Sequence, residues 1–299
     1  MFELNRTQAR WAFKDLLGQA NHFLITILVG LDGVRSGEVT LHPEFRTSWN
    51  PQNVARSAER SRIFVLDLAL IRSIDALDTY MMMSARKPTA IGDRALVAAM
   101  DGSGRSIARR LDAFDAHLQS LPEYHKAILE IAIEWRNRRV HSLSNDRIEK
   151  RTLRIVEDQS EMFAADYSGL SVKELISHFT SGEAPSFKEA ASIIRLTHEA
   201  VAHYDAYLLQ GLQIESYLKD SMLAFLDEGN ARPNRSIQKT WGHPEKKRAK
   251  VVRLLRMIGV NETEKISGRQ VPDDFVERLV DLNTDEVMDF LSSSHSAPI

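Results

Sequence analysis

The stretch PQNVARSAERSRIFVLDLALIRSIDALDTYMMMSARK (51–87) decides the fold class. Val65, Leu68, Ile71, Ile74 and Leu77 recur at three-residue steps, the spacing of neighbours on an α-helix and not the alternation of a strand. No Gly or Pro interrupts the run. Asn50 stands where a capping side chain belongs, and Pro51 has the fixed φ that suits a first helical position. Pro88 closes the segment, because the residue before a proline is driven out of the helical region. The pattern predicts one long helix.

Outward from it the pattern stays helical. Segments at about 92–100, 104–119 and 123–142 follow, the first two split by DGSG. Ser171 and Ser186 each occupy a capping position, the latter ahead of FKEAASIIRLTHEAVAHYDAYLLQ. Further helices are expected at 214–228, 244–258, 272–281 and 284–292. The best strand candidates, EVTLH (38–42) and RTLRIVED (151–158), are short. The Gly, Pro and Asn cluster in EGNARPNRSIQKTWGHPEKK (228–247) reads as a boundary. The expectation is therefore an all-α chain with a helical domain at 1–228 and a small basic helical unit at 229–299.

The chain of 299 residues is 43% hydrophobic and 27% charged, the composition of a globular protein. It has no cysteine, which excludes disulfides, thiolate catalysis and cysteine-ligated metal sites. Acidic and basic residues occupy MFELNRTQARWAFKDLL, where a signal peptide would be apolar. The most apolar stretch, FLITILVGL (23–31), falls short of the roughly 20 residues that span a bilayer. A cytoplasmic protein without membrane contact is expected.

A net charge of −2 conceals two basic islands. From Arg232 to Arg256 nine Lys and Arg face Glu245 alone, a local +8. From Glu134 to Arg154 seven basic residues face three acidic ones. Such islands in a mildly acidic chain point to a polyanionic partner.

The second island contains AIEWRNRRVHS (132–142), with Arg136, Asn137 and His141 in an Arg-polar-x3-His arrangement. With 27 arginines and 10 histidines, a bare Arg-x4-His arises about once by chance. Two six-residue gaps, Arg35 to His42 and Arg110 to His117, show how cheap the spacing is. Only Arg136 is followed by Asn, and it sits near the end of the strong amphipathic helix EYHKAILEIAIEW. In these features the chain resembles the HEPN superfamily, all-helical domains that include many metal-independent ribonucleases.

That resemblance implies a HEPN-like antiparallel helical bundle and an endoribonuclease that works as a homodimer without metal or cofactor. It also implies a toxin or antiviral-defence effector, with RNA, either tRNA or mRNA, as substrate and a regulatory partner protein. The residue chemistry fits. His141 is the motif member that exchanges protons near neutrality. Arg136 offers a planar donor fork to phosphate oxygens. Asn137 lies four residues before His141, on the same helical face, where it could orient the imidazole. Arg136 and His141 are about 140° apart on an ideal helix, so they converge only where the helix ends, where Arg uses its reach, or where a second copy contributes. Leu143 stands where some HEPN toxins carry tyrosine.

Arg138 and Arg139 read as substrate clamps or as surface arginines. In the C-terminal island Trp241 with Lys246, Lys247 and Arg248 combines a stacking ring with phosphate contacts, the parts of single-stranded RNA binding, and equally describes a solvated basic helix. Asp75 and Asp78 could reach the basic site from the long helix. HEAVAH (198–203) puts Ala202 where a zinc-binding helix needs its second His. Two other readings stay open: a catalytically silent RNA-binding module, and a helical interaction or scaffold subunit.

Overall fold

A computed structural model describes residues 1–39, 42–45, 49, 51–141, 147–227 and 233–293. The chain is all-α apart from one three-stranded sheet. Its elements begin with β1 (Phe2–Leu4), α1 (Gln8–Leu17), α2 (Ala20–Ser36), α3 (Val54–Ser84), α4 (Arg94–Gly102) and α5 (Ile107–His117). Then come α6 (Glu123–Val140), α7 (Lys150–Asp158), α8 (Ser160–Asp166), α9 (Val172–Ser181), α10 (Phe187–Gly211) and α11 (Ile214–Asp227). The chain closes with α12 (Pro233–Trp241), α13 (Lys247–Met257), β2 (Val260–Glu262), β3 (Arg269–Val271), α14 (Asp273–Asp281) and α15 (Glu286–Ser292).

These elements form two compact units. The first comprises Met1–Ala12, Thr79–Gln119 and Val201–Ile299, and the second Phe13–Asp78 and Ser120–Ala200. This partition differs from the expected division at 228. The reason is the sheet, in which β1 is the central strand and pairs antiparallel with both β2 and β3. Leu4 lies opposite Val260 on one side and Arg269 on the other. The C-terminal elements therefore share their sheet with the first four residues of the chain.

In the first unit α13 packs on α12, α14 and β2, and α11 packs on α12, α15 and β3. Trp241, Leu255, Phe275, Leu279 and Leu291 fill the space between them. Tyr80, Phe114 and Tyr204 form a second buried cluster with edge-to-face rings. Gly268 is required where the β2–β3 loop crosses β1, since a Cβ there would lie 2.4 Å from the Leu4 carbonyl oxygen.

The second unit is built around α6. Its buried positions, Ala127 to Leu129, Ile131 to Ile133 and Trp135, cover about two-thirds of its circumference, leaving Lys126, Glu130 and Glu134 on the remaining stripe. α7 packs on α6 and α9, and α8 packs on α9. The long helix α3 begins at Val54 instead of Pro51, because Asn53 Oδ1 accepts the Arg56 N–H at 2.9 Å and supplies the cap. Asn50 lies outside the described residues. RTLRIVED is helix α7, with Thr152 and Val156 buried one turn apart. Gln8–Ser36 is long and apolar enough to cross a membrane on length and composition alone, a test that the core helix of a soluble protein and a signal sequence also pass.

Glu3 locks the β2–β3 loop. Its Oε2 accepts the N–H groups of Ser267 at 2.6 Å and Gly268 at 2.8 Å, and the Ser267 hydroxyl donates to Oε1 at 3.2 Å. These bonds, Ser267 first, hold the carboxyl below its ordinary pKa. A lowered folded pKa contributes stability that is present above the unfolded carboxylate range and lost as pH falls through the folded value. Glu3→Gln is therefore expected to cost about 1–2 kcal/mol at pH 7 in urea denaturation, and the gap to wild type should close toward pH 3.

Candidate active site

The last turns of α6 change abruptly from apolar to Arg-Asn-Arg-Arg. What holds that end is set one residue earlier. The Trp135 ring is buried edge-on to Phe179, and its Nε1–H donates to the Glu183 carbonyl at 3.1 Å. A large side chain fixed at both faces settles the rotation of α6 about its axis, and the arginines that follow have their directions set.

Arg138 and Arg139 turn toward the C-terminus of α9. Arg138 stacks over the Phe179 ring at 4.0 Å and donates to the Phe179 carbonyl at 2.8 Å. Arg139 donates to the Gly182 carbonyl at 3.0 Å and pairs with the Asp67 carboxylate of α3. Gly182 is the left-handed cap of α9, with φ 75°. Cations placed on the unsatisfied carbonyls of a helix end are favourable. Both guanidinium groups thus tie α6 to α9, and the fold explains them without a substrate.

Arg136 points to α3. Its Nε and Nη2 both donate to Asp75 Oδ1, at 3.0 and 2.8 Å, and Nη1 donates to Asn137 Oδ1 at 3.3 Å. The side chain is 18% exposed. Three of five N–H donors are used within this set, and one on each Nη is left for another acceptor. Asp75, which the sequence placed within reach of the basic site, is the anchor of the motif arginine.

His141 caps α6 with φ −113° and ψ 101°, so the helix ends there and the chain leaves extended. Its N–H donates to the Asn137 carbonyl at 2.8 Å. The imidazole is exposed and makes no hydrogen bond among the described residues. Helix termination thus meets one condition set by the 140° offset. Asn137 serves the pair through its carbonyl to His141 and its side chain to Arg136, where the sequence suggested an amide on the imidazole. Leu143 lies outside the described residues.

The C-terminal candidates are arranged otherwise. Trp241 is only 2% exposed, and its Nε1–H donates to the Leu279 carbonyl at 2.8 Å. Its ring is core, so it cannot stack on a base. Lys247 reaches the Leu282 carbonyl at 3.0 Å, beyond the end of α14. Arg248 takes both oxygens of Glu277, at 2.7 and 2.6 Å. Lys246 is exposed. Residues 233–293 carry eleven basic and ten acidic side chains, so acidic α14 packed on α13 balances the island that looked strongly basic in a shorter window.

Two residues not singled out in the sequence matter here: Asp67, the partner of Arg139, and Phe179, the platform under Arg138. Their only signal is a carboxylate on the α3 face and an aromatic at a helix end. In HEAVAH, His198 packs edge-on to Phe13 and His203 Nε2 bonds to the Gln119 carbonyl. Trp241→Ala is expected to lower stability by about 3–5 kcal/mol in urea denaturation, the cost of emptying a core site. An exposed stacking residue would lose less than about 0.5 kcal/mol. Compared with protein-family models, curated proteins and solved structures, the chain gives no match.

Proposed function

We propose that this chain is a metal-independent endoribonuclease of the HEPN type, a cytoplasmic homodimer acting as a toxin or antiviral-defence effector. One observation carries the reading. At the end of α6 an arginine held by Asp75 and by the Asn137 side chain, and an exposed imidazole, leave the same helix terminus. In the proposed reaction His141 takes the proton of the ribose 2′-hydroxyl, and the 2′-oxygen bonds to the adjacent phosphorus. The P–O5′ bond breaks, and an acid delivers a proton to the departing oxygen. The products are a 2′,3′-cyclic phosphate and a 5′-hydroxyl. The open N–H groups of Arg136 meet the charge growing on the phosphoryl oxygens, while Asp75 keeps the guanidinium in place.

The step needs a base and an acid, and the motif holds one imidazole. A second copy supplies the other, and the second unit has a face for it. Phe23 and Ile27 of α2 and Phe64 and Leu68 of α3, each pair four residues apart on one side of its helix, are 45–62% exposed. Arg62 of α3 bonds to Asp32 of α2 at 3.0 Å, and Arg72 of α3 donates to the Leu16 carbonyl at the end of α1 at 3.0 Å, so α3 is tied to both helices. A groove of about 790 Å³ runs along them, lined by Phe23, Ile27, Val65, Leu68 and, at one end, Asp75. Half-exposure of four such side chains leaves roughly 100 Å² each. The sum, about 400 Å², lies within the ~300–600 Å² of the largest apolar patch on a typical monomer, a size that is often functional. We assign the occupant as a second copy of this chain.

Purified protein is expected to cleave labelled RNA in EDTA. His141→Ala and Asp75→Ala should lower the rate by at least 100-fold and tenfold respectively, consistent with removal of a general base and of a positioning contact. Salt-sensitive binding of RNA without cleavage by wild type would contradict the enzyme and leave the binding module.

Phe64→Glu is expected to convert a dimer into a monomer in sedimentation velocity and to slow cleavage at least tenfold. A wild-type monomer that binds lipid vesicles through the same face would instead assign the face to a membrane.

A further inference from the structure

We propose that the first unit carries a binding site for the phosphoryl group of a nucleotide-sized small molecule. The site is a pocket of about 490 Å³ between the turn that follows β1, the end of α10 and the β2–β3 loop. That volume lies within the ~300–1,000 Å³ of small-molecule sites. The proposal uses only first-unit residues and stands or falls apart from the ribonuclease reading.

The polar lining is Asn5, Arg10, Gln210, Ser267, Arg269 and Gln270, with no carboxylate among the lining residues. Arg269 is half-buried and makes no hydrogen bond or ion pair among the described residues. A guanidinium carries five donors, and losing water from them without a partner is unfavourable. Asn5 Oδ1 is buried with no partner, and as an acceptor it suits a hydroxyl or N–H of the ligand and not its phosphoryl oxygens. Arg10 Nη1 stands 3.6 Å from Asp205 Oδ2, which orients the side chain but is too long for a good hydrogen bond. Two guanidinium groups and three side-chain amides therefore border a space the protein leaves open, while the Ser267 hydroxyl is committed to Glu3.

The nearby carboxylates are already satisfied. Asp205 accepts the Thr7 hydroxyl at 2.5 Å and the Thr7 N–H at 3.3 Å, and Glu3 accepts the loop N–H groups of Ser267 and Gly268. The walls are also stiff. Glu3 holds the loop, Gly268 lies against the Leu4 carbonyl, and the Leu4–Arg269 register sets the start of β3. Walls that need no ordering on binding favour affinity.

Guanidinium forks match the several oxygens of a phosphoryl group. A bare ion would fill a small part of the volume, and Ala206, Leu209 and Ile266 offer an apolar wall to the remainder of a larger ligand.

The test is isothermal titration calorimetry of the full chain with AMP, pyrophosphate and inorganic phosphate. AMP is expected to bind at least tenfold tighter than inorganic phosphate. Arg269→Ala should weaken AMP at least tenfold with an unchanged melting temperature, since that side chain has no partner to lose. Arg269→Gln, which keeps the polar stem, should weaken it similarly. Absence of binding by all three probes, or equal AMP affinity in wild type and both variants, would overturn the site. Inorganic phosphate binding as tightly as AMP would overturn the nucleotide-sized ligand.

Discussion

The position of the α6 terminus depends on one buried contact, Trp135 set edge-on against Phe179 with its indole N–H on the Glu183 carbonyl. Emptying a site of that size costs about 3–5 kcal/mol, whereas each arginine on a helix-end carbonyl is worth about 0.3–1 kcal/mol. The tryptophan therefore dominates the stability of this region, and the arginines refine direction. Arg138 and Arg139 close α6 onto α9, while Arg136 is drawn to α3 by Asp75. His141 emerges exposed because the helix has nowhere further to pack. Packing first, ion pairs second and an unburdened imidazole last is the order in which this terminus is built.

Long helices uninterrupted by Gly or Pro were legible in the sequence, and α3 is the clearest case. Its start was displaced by three residues because Asn53, closer to the apolar run than Asn50, supplies the cap. The strands were not legible. Three residues are too few to display alternation, and β1 finds its partners more than 250 positions away. The same long-range pairing hid the membership of the C-terminal region in a unit with the first residues of the chain. RTLRIVED misled in the opposite sense. Its alternating charges look like a strand, but Thr152 and Val156 at four-residue spacing set the buried face of α7.

Candidate site residues divide along a similar line. The geometry of Arg136, Asn137 and His141 was half legible, since five positions at a helix end can be drawn from sequence and the anchor at Asp75, 61 positions away, cannot. Arg138 and Arg139 resembled substrate clamps because the carbonyls and the Asp67 carboxylate that engage them are distant in sequence. A local charge window overstated the C-terminal island for the same reason, with Glu277 and Glu262 returning to Arg248 and Arg256 once α13 and its neighbours pack. Trp241, read among lysines as a stacking ring, is held by its indole N–H inside the core.

The central claim is that the chain cuts RNA by turning the ribose 2′-hydroxyl on its own phosphate without a metal. The most direct measurement offers purified protein one RNA in two forms in EDTA, unmodified and with every 2′-hydroxyl methylated, and identifies the product ends by mass spectrometry. The account predicts cleavage of the unmodified strand alone, leaving 2′,3′-cyclic phosphates and 5′-hydroxyls. Cleavage of the methylated strand, products ending in 3′-hydroxyls, or no cleavage of either strand would contradict it.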